Sequence, residues 1–337
     1  MKKKKYLIVR FGALGDILHA LPSVTALKDR ENDCFIAWAV NKKFLELISS
    51  FPAVDAIFAF EDTYKSWMKN IREIRKTGFD AAIDFQGLIK SGVLTYISGA
   101  PLRIGFARAW LREKFCFIFY NKSVSISPDT KHIIEQNLRL LEPLGIKTSK
   151  IATRIIIPKP ADNFAVGLLG NIEKQLVIGI QPFTGWETKD WKIPHFIELI
   201  KKIEKIYANV IFLIFWGPGE VSRANLISKN TDERTRILPE TNIMEMASLL
   251  QRCHLVIGGD TGPIHLAASL GTPVIGLYSP TDEYRNGPYG NKHITIVTDV
   301  GCRPCYKRKC NIERCMDRIT IQNVVNAVER IVGNIER

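Results

Sequence analysis

Short runs of apolar residues alternate along the chain with segments in which apolar residues recur every three or four positions. The short runs predict buried strands, and the longer periodicity predicts amphipathic helices. Strands are predicted at residues 6–9, 34–40, 81–84, 176–181, 210–215, 255–258 and 274–278. Helices are predicted at residues 17–28, 44–48, 88–97, 195–206, 243–253 and 264–270. This alternation favours an α/β fold with parallel sheets and helices on both faces.

The alternation is interrupted once, near the middle of the chain. The stretch IIIPKPADN contains two prolines and several polar residues, and it predicts a linker near residues 158–163. A chain of 337 residues is about twice the length of an ordinary domain. We therefore expect two doubly wound domains, residues 1–160 and 161–337. A ligand cleft is expected between them, at the carboxyl ends of their strands.

Composition narrows the class of protein. The chain is 46% hydrophobic and 24% charged, which is typical of soluble globular proteins. No window approaches the roughly 18 uninterrupted apolar residues of a membrane span. Arg10 ends the first apolar run too early for a signal peptide. We expect a cytoplasmic protein.

Positive charge is concentrated in the first half of the chain. The net charge is +13, and residues 1–160 contain 26 of the 47 Lys and Arg residues but only 15 of the 34 Asp and Glu residues. Residues 161–337 contain 21 Lys and Arg residues and 19 Asp and Glu residues. The first half is therefore expected to meet an acidic partner, such as nucleic acid, an anionic membrane or an anionic glycolipid. A lysine-rich solubility surface accounts for the charge equally well.

The first strand runs directly into RFGALGDILHALP, residues 10–22, where a turn with Gly12 and Gly15 precedes a helix. Such turns usually bind nucleotide phosphates, but Asp16 would repel a phosphate there. A carboxylate at this position can accept a proton from a hydroxyl group. It can also simply cap the helix that follows, and one side chain is able to do both.

The second half contains VIGGDTGPIHLAASLGTPVIGLY, in which a buried strand ends at a turn followed by a helix. Pro263 suits the start of that helix, where no N–H group is needed. The unpaired N–H groups of the helix start and the positive end of its dipole favour a diphosphate. Asp260 and Thr261 also fit an ordinary helix cap. The paired glycines before them, and His265 in the first turn, favour a binding site.

Two further loops follow strands in the same half. QPFTGWETKDWK places Lys189 between two tryptophans just before a helix. There it could neutralise a departing diphosphate or remain a solvated loop lysine. FLIFWGPGE ends a strand in a Gly-Pro-Gly turn and brings Glu220 to the same edge. A carboxylate there can hold a pair of ribose hydroxyls, but it is also common as a turn residue.

These segments together resemble the ADP-heptose:lipopolysaccharide heptosyltransferases, glycosyltransferase family 9. The matching stretches are GDILHALP, ETKDW and GGDTGPIHLAASLGTPVIGLY, and the similarity extends over nearly the whole chain. FDAAIDFQGLIKSG and REKFCFIFYN are most similar to the heptosyltransferase I branch. The resemblance implies the GT-B fold, in which two Rossmann-like domains face a central cleft. The first domain would bind the acceptor and the second the nucleotide sugar.

The resemblance also implies roles for individual residues. Asp16 would be the general base of an inverting transfer of heptose from ADP-heptose to Kdo, and Lys189 would stabilise the departing ADP. No Asp-x-Asp motif is present, which fits a transfer that uses no metal ion or other cofactor. Gly185 departs from the second hydroxyl residue expected beside Thr184. The implied donor contacts are Thr184, Lys189, Glu220, Thr241, Asp260, Thr261, Gly262 and His265.

A basic helical face accounts for part of the charge in the first half. In YKSWMKNIREIRK the basic residues lie four, three and four positions apart, and Trp67, Ile71 and Ile74 occupy the other face. The basic face is either an ordinary solvated surface or a contact for phosphates and carboxylates. In the second case it would meet Kdo-lipid A and the inner face of the inner membrane, to which the protein would bind peripherally. Acceptor contacts are expected at Lys65, Lys69, Arg72, Lys90, Arg103, Arg108 and Arg112.

Four cysteines near the C-terminus have the spacing C-x2-C-x4-C-x4-C. They are Cys302, Cys305, Cys310 and Cys315. This spacing is compatible with a structural zinc site or with free thiols in a basic loop. A disulfide is not expected in the cytoplasm. We expect no role for these cysteines in the transfer.

Other functions fit parts of the sequence. A nicotinamide-dependent dehydrogenase would use Rossmann-like domains, but the first turn lacks the third glycine of G-x-G-x-x-G, and residues 40–42 lack the acid that binds ribose. A nucleic-acid-binding protein would explain the pI of about 9.4 but not the Asp16 and His265 loops, so we expect no nucleic-acid partner. Within the family, a later heptosyltransferase of type II or III, acting on heptose of the inner core, is the alternative.

Overall fold

The computed structural model describes residues 3–31, 33–170, 172, 174–310 and 315–335. The chain divides into two units, Met1–Ile156 and Ile157–Arg337. Each unit contains one parallel six-stranded sheet with helices between its strands. The predicted α/β class is confirmed. None of the described helices has the length and apolar composition needed to cross a membrane.

The first unit is built on six strands. They are β1 (Lys4–Val9), β2 (Cys34–Asn41), β3 (Ala56–Phe60), β4 (Ala81–Asp84), β5 (Leu102–Phe106) and β6 (Lys122–Val124). The α-helices among its described residues are α1 (Leu14–Arg30), α2 (Leu45–Ser49), α3 (Tyr64–Thr77), α4 (Ile89–Ile97) and α5 (Ile133–Arg139). The order across the sheet is β3-β2-β1-β4-β5-β6, and all neighbours are parallel.

The second unit repeats this plan. Its strands are β7 (Leu176–Gln181), β8 (Val210–Ile214), β9 (Thr235–Ile237), β10 (Leu255–Gly259), β11 (Val274–Tyr278) and β12 (Ile294–Val297). Its described α-helices are α6 (Lys159–Leu169), α7 (Ile193–Ile206), α8 (Val221–Ser228), α9 (Ile243–Gln251), α10 (Gly262–Ser269), α11 (Glu283–Asn286) and α12 (Ile321–Ile335). The strand order is β12-β11-β10-β7-β8-β9. If the strands of each unit are numbered from 1 to 6 along the chain, both sheets have the order 3-2-1-4-5-6. This is the Rossmann order.

The sheets form because their central strands are apolar on both faces. Every residue of β8, β10 and β11 is buried, as expected for parallel strands covered by helices. Helix α3 shows the other pattern, in which only one face is apolar. Its Ile74 lies in the core of the first unit, and Trp67 and Ile71 pack against that core, as the periodicity predicts.

The predicted linker is wrong in its position. Residues 158–163 are not an irregular connection, because Pro158 is the N-cap of α6 and Pro160 lies in its first turn. Proline is tolerated there, since the first N–H groups of a helix have no partner inside the helix. The irregular segment lies earlier, at residues 146–158. The division between the units falls after Ile156, four residues before the expected boundary at residue 160.

A short 3-10 helix, Lys114–Phe119, lies tightly against α4. The Cys116 thiol donates to the carbonyl oxygen of Leu88, 3.1 Å away. A Cβ atom at Gly92 would lie only 2.6 Å from Cys116 Sγ, so glycine permits this close approach. Burial raises the pKa of the Cys116 thiol to about 12, and the thiol therefore remains protonated at neutral pH.

The end of this 3-10 helix is fixed by a buried carboxylate. Asp84, at the end of β4, accepts a hydrogen bond from the Tyr120 hydroxyl at 2.7 Å through Oδ2. Its Oδ1 accepts the N–H groups of Gln86 and Gly87 at 2.7 and 3.1 Å. Burial raises the pKa of Asp84, although these donors oppose the shift. One side chain thus ties the turn after β4 to the segment before β6.

Replacing Tyr120 with Phe should destabilise the first unit. The substitution removes the hydroxyl that donates to Oδ2 of the buried Asp84, and an unsatisfied buried acceptor costs about 1–3 kcal/mol. Urea unfolding would measure the loss of free energy. The control is Tyr64→Phe, which removes an exposed hydroxyl and should change stability by less than about 0.5 kcal/mol. Equal stability of the two variants would contradict this account.

Candidate active site

The loops with the predicted donor contacts leave one edge of the second sheet. Strands β7, β8, β9 and β10 are all parallel, so their carboxyl ends lie at the same edge. The residues follow the strands in this order: Thr184 and Lys189 after β7, Glu220 after β8, Thr241 after β9, and Asp260 after β10. The strand order reverses between β7 and β10, and ligands bind at this point in open parallel sheets.

Three ionisable side chains form a cluster at this edge, which we call the Asp260 cluster (Lys189, Asp260 and His265). Asp260 Oδ2 lies 2.9 Å from Lys189 Nζ, and Asp260 Oδ1 lies 3.0 Å from His265 Nε2. The Lys189 ammonium also donates to the Asp260 carbonyl oxygen at 3.0 Å. Only 11% of the Lys189 side chain and 9% of the Asp260 side chain are exposed. Lys189 is therefore held in a defined position and is not a solvated loop lysine.

The cluster keeps Asp260 ionised. Burial alone would raise the pKa of this carboxyl, but the hydrogen bond and electrostatic interaction with His265, together with the Lys189 ammonium, outweigh that effect. The net result is a pKa well below the usual range for aspartate. The carboxylate in turn fixes the direction of the Lys189 ammonium, which lies 4.2 Å from the centre of the Trp186 ring.

The loop after β7 lies directly on the end of β10. A Cβ atom at Gly259 would lie 2.7 Å from Thr184 Cγ2 and 3.0 Å from the carbonyl oxygen of Lys189, so a side chain there would displace the loop. Asp190 holds the same loop by accepting the N–H and hydroxyl of Thr184 at 2.9 and 2.8 Å. The second of the paired glycines thus allows Lys189 to reach Asp260.

The start of α10 provides N–H groups beside the cluster. Thr261 is the N-cap, its backbone is extended, and its side chain makes no capping hydrogen bond. Pro263 follows in the first turn, as predicted. Among the residues that the structure describes, no acceptor is bonded to the N–H group of Thr261 or Gly262. These two donors, at the positive end of a helix dipole, favour an anion.

Glu220 and Thr241 lie farther along the same edge. Glu220 closes the turn after β8, because its Oε2 accepts the N–H of Gly217 at 2.7 Å. Its Oε1 has no hydrogen-bond partner in the described part of the chain. Thr241 is half-buried and immediately precedes Asn242, the N-cap of α9. No contact described by the structure joins Thr241 to the Asp260 cluster.

In the first unit, Asp16 lies in the first turn of α1, next to the end of β1. Its Oδ2 accepts the N–H of Ala13 at 3.1 Å and pairs with the Arg10 guanidinium at 2.6 Å. Its Oδ1 has no hydrogen-bond partner among the described residues, and 47% of the side chain is exposed. Asp16 therefore stabilises the helix start with one oxygen and leaves the other oxygen open.

Arg10 also belongs to this site, although it is not among the predicted site residues. Its guanidinium donates to the carbonyl oxygen of Phe85 at 2.5 Å, and the neighbouring Phe11 N–H donates to Gln86 Oε1 at 2.7 Å. Phe85 and Gln86 belong to the turn held by Asp84. Asp84 therefore helps to position Arg10, and Arg10 positions Asp16. A charged residue at the end of an apolar strand was the available signal.

The model of glycosyltransferase family 9 (heptosyltransferase) matches residues 67–316, most of the chain. The chain belongs to this family. It is 27% identical to lipopolysaccharide heptosyltransferase 1 of Pseudomonas aeruginosa over 331 residues, which cover 92% of this chain and 88% of that protein. Because the family consists of glycosyltransferases, the protein is a transferase enzyme.

Solved structures of the family share its architecture. A family 9 glycosyl transferase from Veillonella parvula aligns over 99% of this chain and 98% of its own, with a TM-score of 0.88 and 19% identity. The structure of the E. coli heptosyltransferase WaaC with ADP aligns over 97% of this chain and 99% of its own, with a TM-score of 0.79 and 23% identity. The GT-B fold expected for this glycosyltransferase is confirmed.

Most of the expected acceptor contacts of this glycosyltransferase are exposed cations. Lys65, Lys69 and Arg72 lie on the solvent side of α3. The exposed Lys90 ammonium lies 4.6 Å from the centre of the Trp67 ring and 3.4 Å from an oxygen of Asp62. These positions are compatible with an anionic acceptor, which the basic face of α3 was expected to meet.

The remaining acceptor candidates lie around the 3-10 helix Lys114–Phe119. Arg108 and Arg112 are exposed. Arg103 differs, because its guanidinium donates to the carbonyl oxygens of Phe119 and Ala100 at 3.0 and 3.1 Å. Arg103 thus holds the local backbone, and fewer of its N–H groups are open to an acceptor.

In the C-terminal segment Cys302, Cys305 and Cys315 are free thiols, and Cys302 and Cys310 are exposed. In the described part of the chain, no three His, Cys, Asp or Glu side chains are grouped to hold a metal ion. Residues 311–314, between the third and fourth cysteines, lie outside the described residues. The segment contacts the loop after β7, since Thr188 donates to the Lys307 carbonyl oxygen at 2.7 Å and the Arg308 guanidinium lies 4.8 Å from the Trp186 ring.

Replacing Asp260 with Asn should destabilise the second unit at neutral pH. The variant leaves Lys189 and His265 without their shared carboxylate, and breaking such a buried pair costs about 3 kcal/mol. Because the pKa of Asp260 is lower in the folded than in the unfolded chain, its contribution is complete above about pH 4 and decreases as the pH falls below that value.

Urea unfolding of wild type and Asp260→Asn over a pH series would measure this difference. The control is Glu198→Gln, which breaks a surface pair with Lys202 on α7 and should cost less than about 0.5 kcal/mol at any pH. A difference between wild type and Asp260→Asn that stays constant down to about pH 3 would show that the carboxylate is not the stabilising group.

Proposed function

We propose that this family-9 glycosyltransferase transfers L-glycero-D-manno-heptose from ADP-heptose to Kdo of Kdo-lipid A, as a type I heptosyltransferase of the lipopolysaccharide core. The observation that carries the proposal is the state of Asp16, which has one oxygen fixed by Arg10 and Ala13 and one open. The reaction would take place at the cytoplasmic face of the inner membrane, with peripheral binding of the protein.

The donor would bind at the edge of the second sheet. The Lys189 ammonium and the N–H groups of Thr261 and Gly262 are positive groups that a diphosphate can approach, and they supply the charge that a metal ion supplies in other transferases. The open Oε1 of Glu220 can accept a hydrogen bond from a ribose hydroxyl. Together they support a transfer without a metal cofactor. The full set of proposed donor contacts is Thr184, Lys189, Glu220, Thr241, Asp260, Thr261, Gly262 and His265.

The proposed step is a single displacement. The acceptor hydroxyl oxygen forms a bond to the anomeric carbon, the acceptor proton passes to Asp16 Oδ1, and the bond from the anomeric carbon to the diphosphate oxygen breaks. Its electron pair leaves with ADP, whose charge Lys189 stabilises. Attack opposite the leaving group inverts the anomeric centre. The Arg10 ion pair holds Asp16 in place throughout, because the Arg10 guanidinium binds the oxygen that does not react.

The acceptor is assigned from charge and from the relatives. Lys65, Lys69, Arg72 and Lys90 are exposed in the more basic half of the chain and suit the phosphates and carboxylates of Kdo-lipid A. Heptosyltransferases named type 1 are 26–28% identical to this chain, whereas those named type 3 are 21–23% identical. This ranking supports Kdo over heptose as the acceptor sugar.

Replacing Asp16 with Asn should abolish most of the transfer without loss of the fold. The amide oxygen can still accept the Ala13 N–H, but it cannot accept the acceptor proton, so kcat should fall about 10²–10⁴-fold. The measurement is ADP release from ADP-heptose in the presence of Kdo-lipid A. The control is Asp29→Asn, at the exposed far end of α1, which should retain the wild-type rate.

The same assay separates the alternatives. Release that survives Asp16→Asn would remove Asp16 as the base but keep the transferase. Release with a heptosylated core and none with Kdo-lipid A would assign the protein to the type II or III branch. If no ADP is released with either acceptor, the result would contradict heptosyl transfer.

Replacing Lys189 with Met should weaken the binding of ADP. The variant loses one charge-assisted contact to the diphosphate, worth about 1.5–3 kcal/mol, so Kd should rise about ten- to a hundredfold. Isothermal titration calorimetry with ADP would measure the change. Lys189→Arg should restore part of the affinity, and Lys201→Met, on the exposed face of α7, should leave it unchanged. Equal ADP affinity in wild type and Lys189→Met would exclude Lys189 as a diphosphate contact.

A further inference from the structure

Five large apolar side chains are exposed around one segment of the first unit. They are Ile89, Tyr96, Trp110, Phe115 and Ile118, and we call them the apolar patch. Phe115 and Ile118 are 71% and 60% exposed. Side chains that are apolar, large and exposed together usually mark an interaction surface.

The members of the apolar patch belong to elements that pack on one another. Ile89 and Tyr96 are seven residues apart on α4 and so lie on the same face of that helix. Phe115 and Ile118 are three residues apart in the 3-10 helix Lys114–Phe119, where this spacing places side chains in register. Trp110 ends the preceding 3-10 turn, which contacts the same 3-10 helix.

The patch is held rigidly outward. The other face of the 3-10 helix is anchored by the Cys116 thiol on the Leu88 carbonyl oxygen and by the packing of Phe119 and Cys116 against Gly92. Phe119 also contacts the ring of Tyr96, with 6.2 Å between ring centres. The exposure of Phe115 and Ile118 therefore results from a fixed backbone.

The chain segment that carries most of the patch is strongly basic. Residues 85–128 contain a single acidic residue, Glu113, and its carboxylate accepts the N–H of Ile89 at 2.7 Å. The same residues contain six basic ones: Lys90, Arg103, Arg108, Arg112, Lys114 and Lys122. Of these, Arg108, Arg112 and Lys114 are exposed within the same short segment as Trp110, Phe115 and Ile118.

We propose that the apolar patch docks the first unit onto an anionic lipid bilayer. Phe115 and Ile118 enter the boundary between headgroups and acyl chains, Trp110 and Tyr96 lie at the level of the headgroups, and Arg108, Arg112 and Lys114 contact lipid phosphates. Aromatic and aliphatic side chains surrounded by Lys and Arg are the composition of surfaces that bind at a bilayer interface. A protein partner of ordinary composition would not require an excess of one charge.

This inference rests on the proposed function, because it identifies the surface by which the transferase would reach a lipid-linked acceptor. It also extends that function, since the patch binds lipid whether or not the acceptor is present. The residues that bind bulk lipid are in part different from those proposed for the sugar. Phe115, Ile118 and Lys114 have no role in the proposed chemistry.

Vesicle co-sedimentation tests the proposal, with vesicles of phosphatidylcholine alone and of phosphatidylcholine mixed with phosphatidylglycerol. The wild type should bind the mixed vesicles, and binding should weaken as salt is raised. Phe115→Ser combined with Ile118→Ser should lower the partition coefficient at least about tenfold. Lys114→Ala should lower it about fivefold. The control is Val166→Ser combined with Leu168→Ser, which removes two exposed apolar side chains from α6 and should leave binding unchanged.

The results separate this proposal from the proposed function. Transfer to a soluble, deacylated acceptor should have the same rate in the double variant as in wild type, which also shows that the variant is folded. Transfer to Kdo-lipid A in vesicles should then show a raised KM. Absence of wild-type binding to the mixed vesicles, or equal binding by the double variant, would overturn membrane docking even if transfer occurs. Vesicle binding without transfer to any acceptor would support the docking surface and overturn the transferase proposal.

A second copy of the chain is the competing occupant of the patch. Sedimentation velocity of the wild type and the Phe115→Ser, Ile118→Ser variant distinguishes it. A monomer in both cases supports the membrane surface. A wild-type dimer that the double variant loses would assign the patch to self-association and overturn the proposal.

Discussion

Each unit depends on one buried aspartate at the carboxyl end of a central strand. Asp84 ends β4 and Asp260 follows β10, the strands next to β1 and β7 where each strand order reverses. A buried carboxylate must be satisfied by donors, so each aspartate determines the course of the surrounding loops. Neutral donors surround Asp84, and burial raises its pKa, whereas His265 and the Lys189 ammonium lower the pKa of Asp260. The first aspartate holds a backbone turn, and the second holds a positive charge in place.

In two other carboxylates, Asp16 and Glu220, one oxygen accepts a local hydrogen bond and the other oxygen is open. Asp16 Oδ2 supports the start of α1, and Glu220 Oε2 closes the turn after β8. A helix-capping role and a chemical role are therefore compatible, because they use different oxygens. The structural bond also restricts the rotation of the side chain and so orients the oxygen that remains.

The fold was largely predictable because central strands and amphipathic helices produce strong patterns. Strands β4, β7 and β11 have the predicted bounds. The strands that were not predicted have only three to five residues and are not buried along their whole length. They are β3, β5, β6, β9 and β12. The outer strands β6 and β9 have three residues each, with at least one exposed residue, so they lack the apolar run that marks a buried strand. In the site, Lys189, Asp260 and His265 come together as expected from their positions after neighbouring strands. The charged residue at the end of the first strand marks Arg10, but its partners could not be predicted, because its position depends on the turn after β4, more than seventy residues away in sequence.

The rigid attachment of the 3-10 helix Lys114–Phe119 has an entropic consequence. A loop that orders only when it binds a partner loses about 1–2 kcal/mol of backbone conformational entropy per residue at that moment. This segment loses that entropy when the protein folds, because Cys116 and Phe119 already fix it. Any surface that it meets is thus bound without an ordering cost, and association can be fast and reversible. The same rigidity prevents Phe115 and Ile118 from withdrawing from water in the isolated protein.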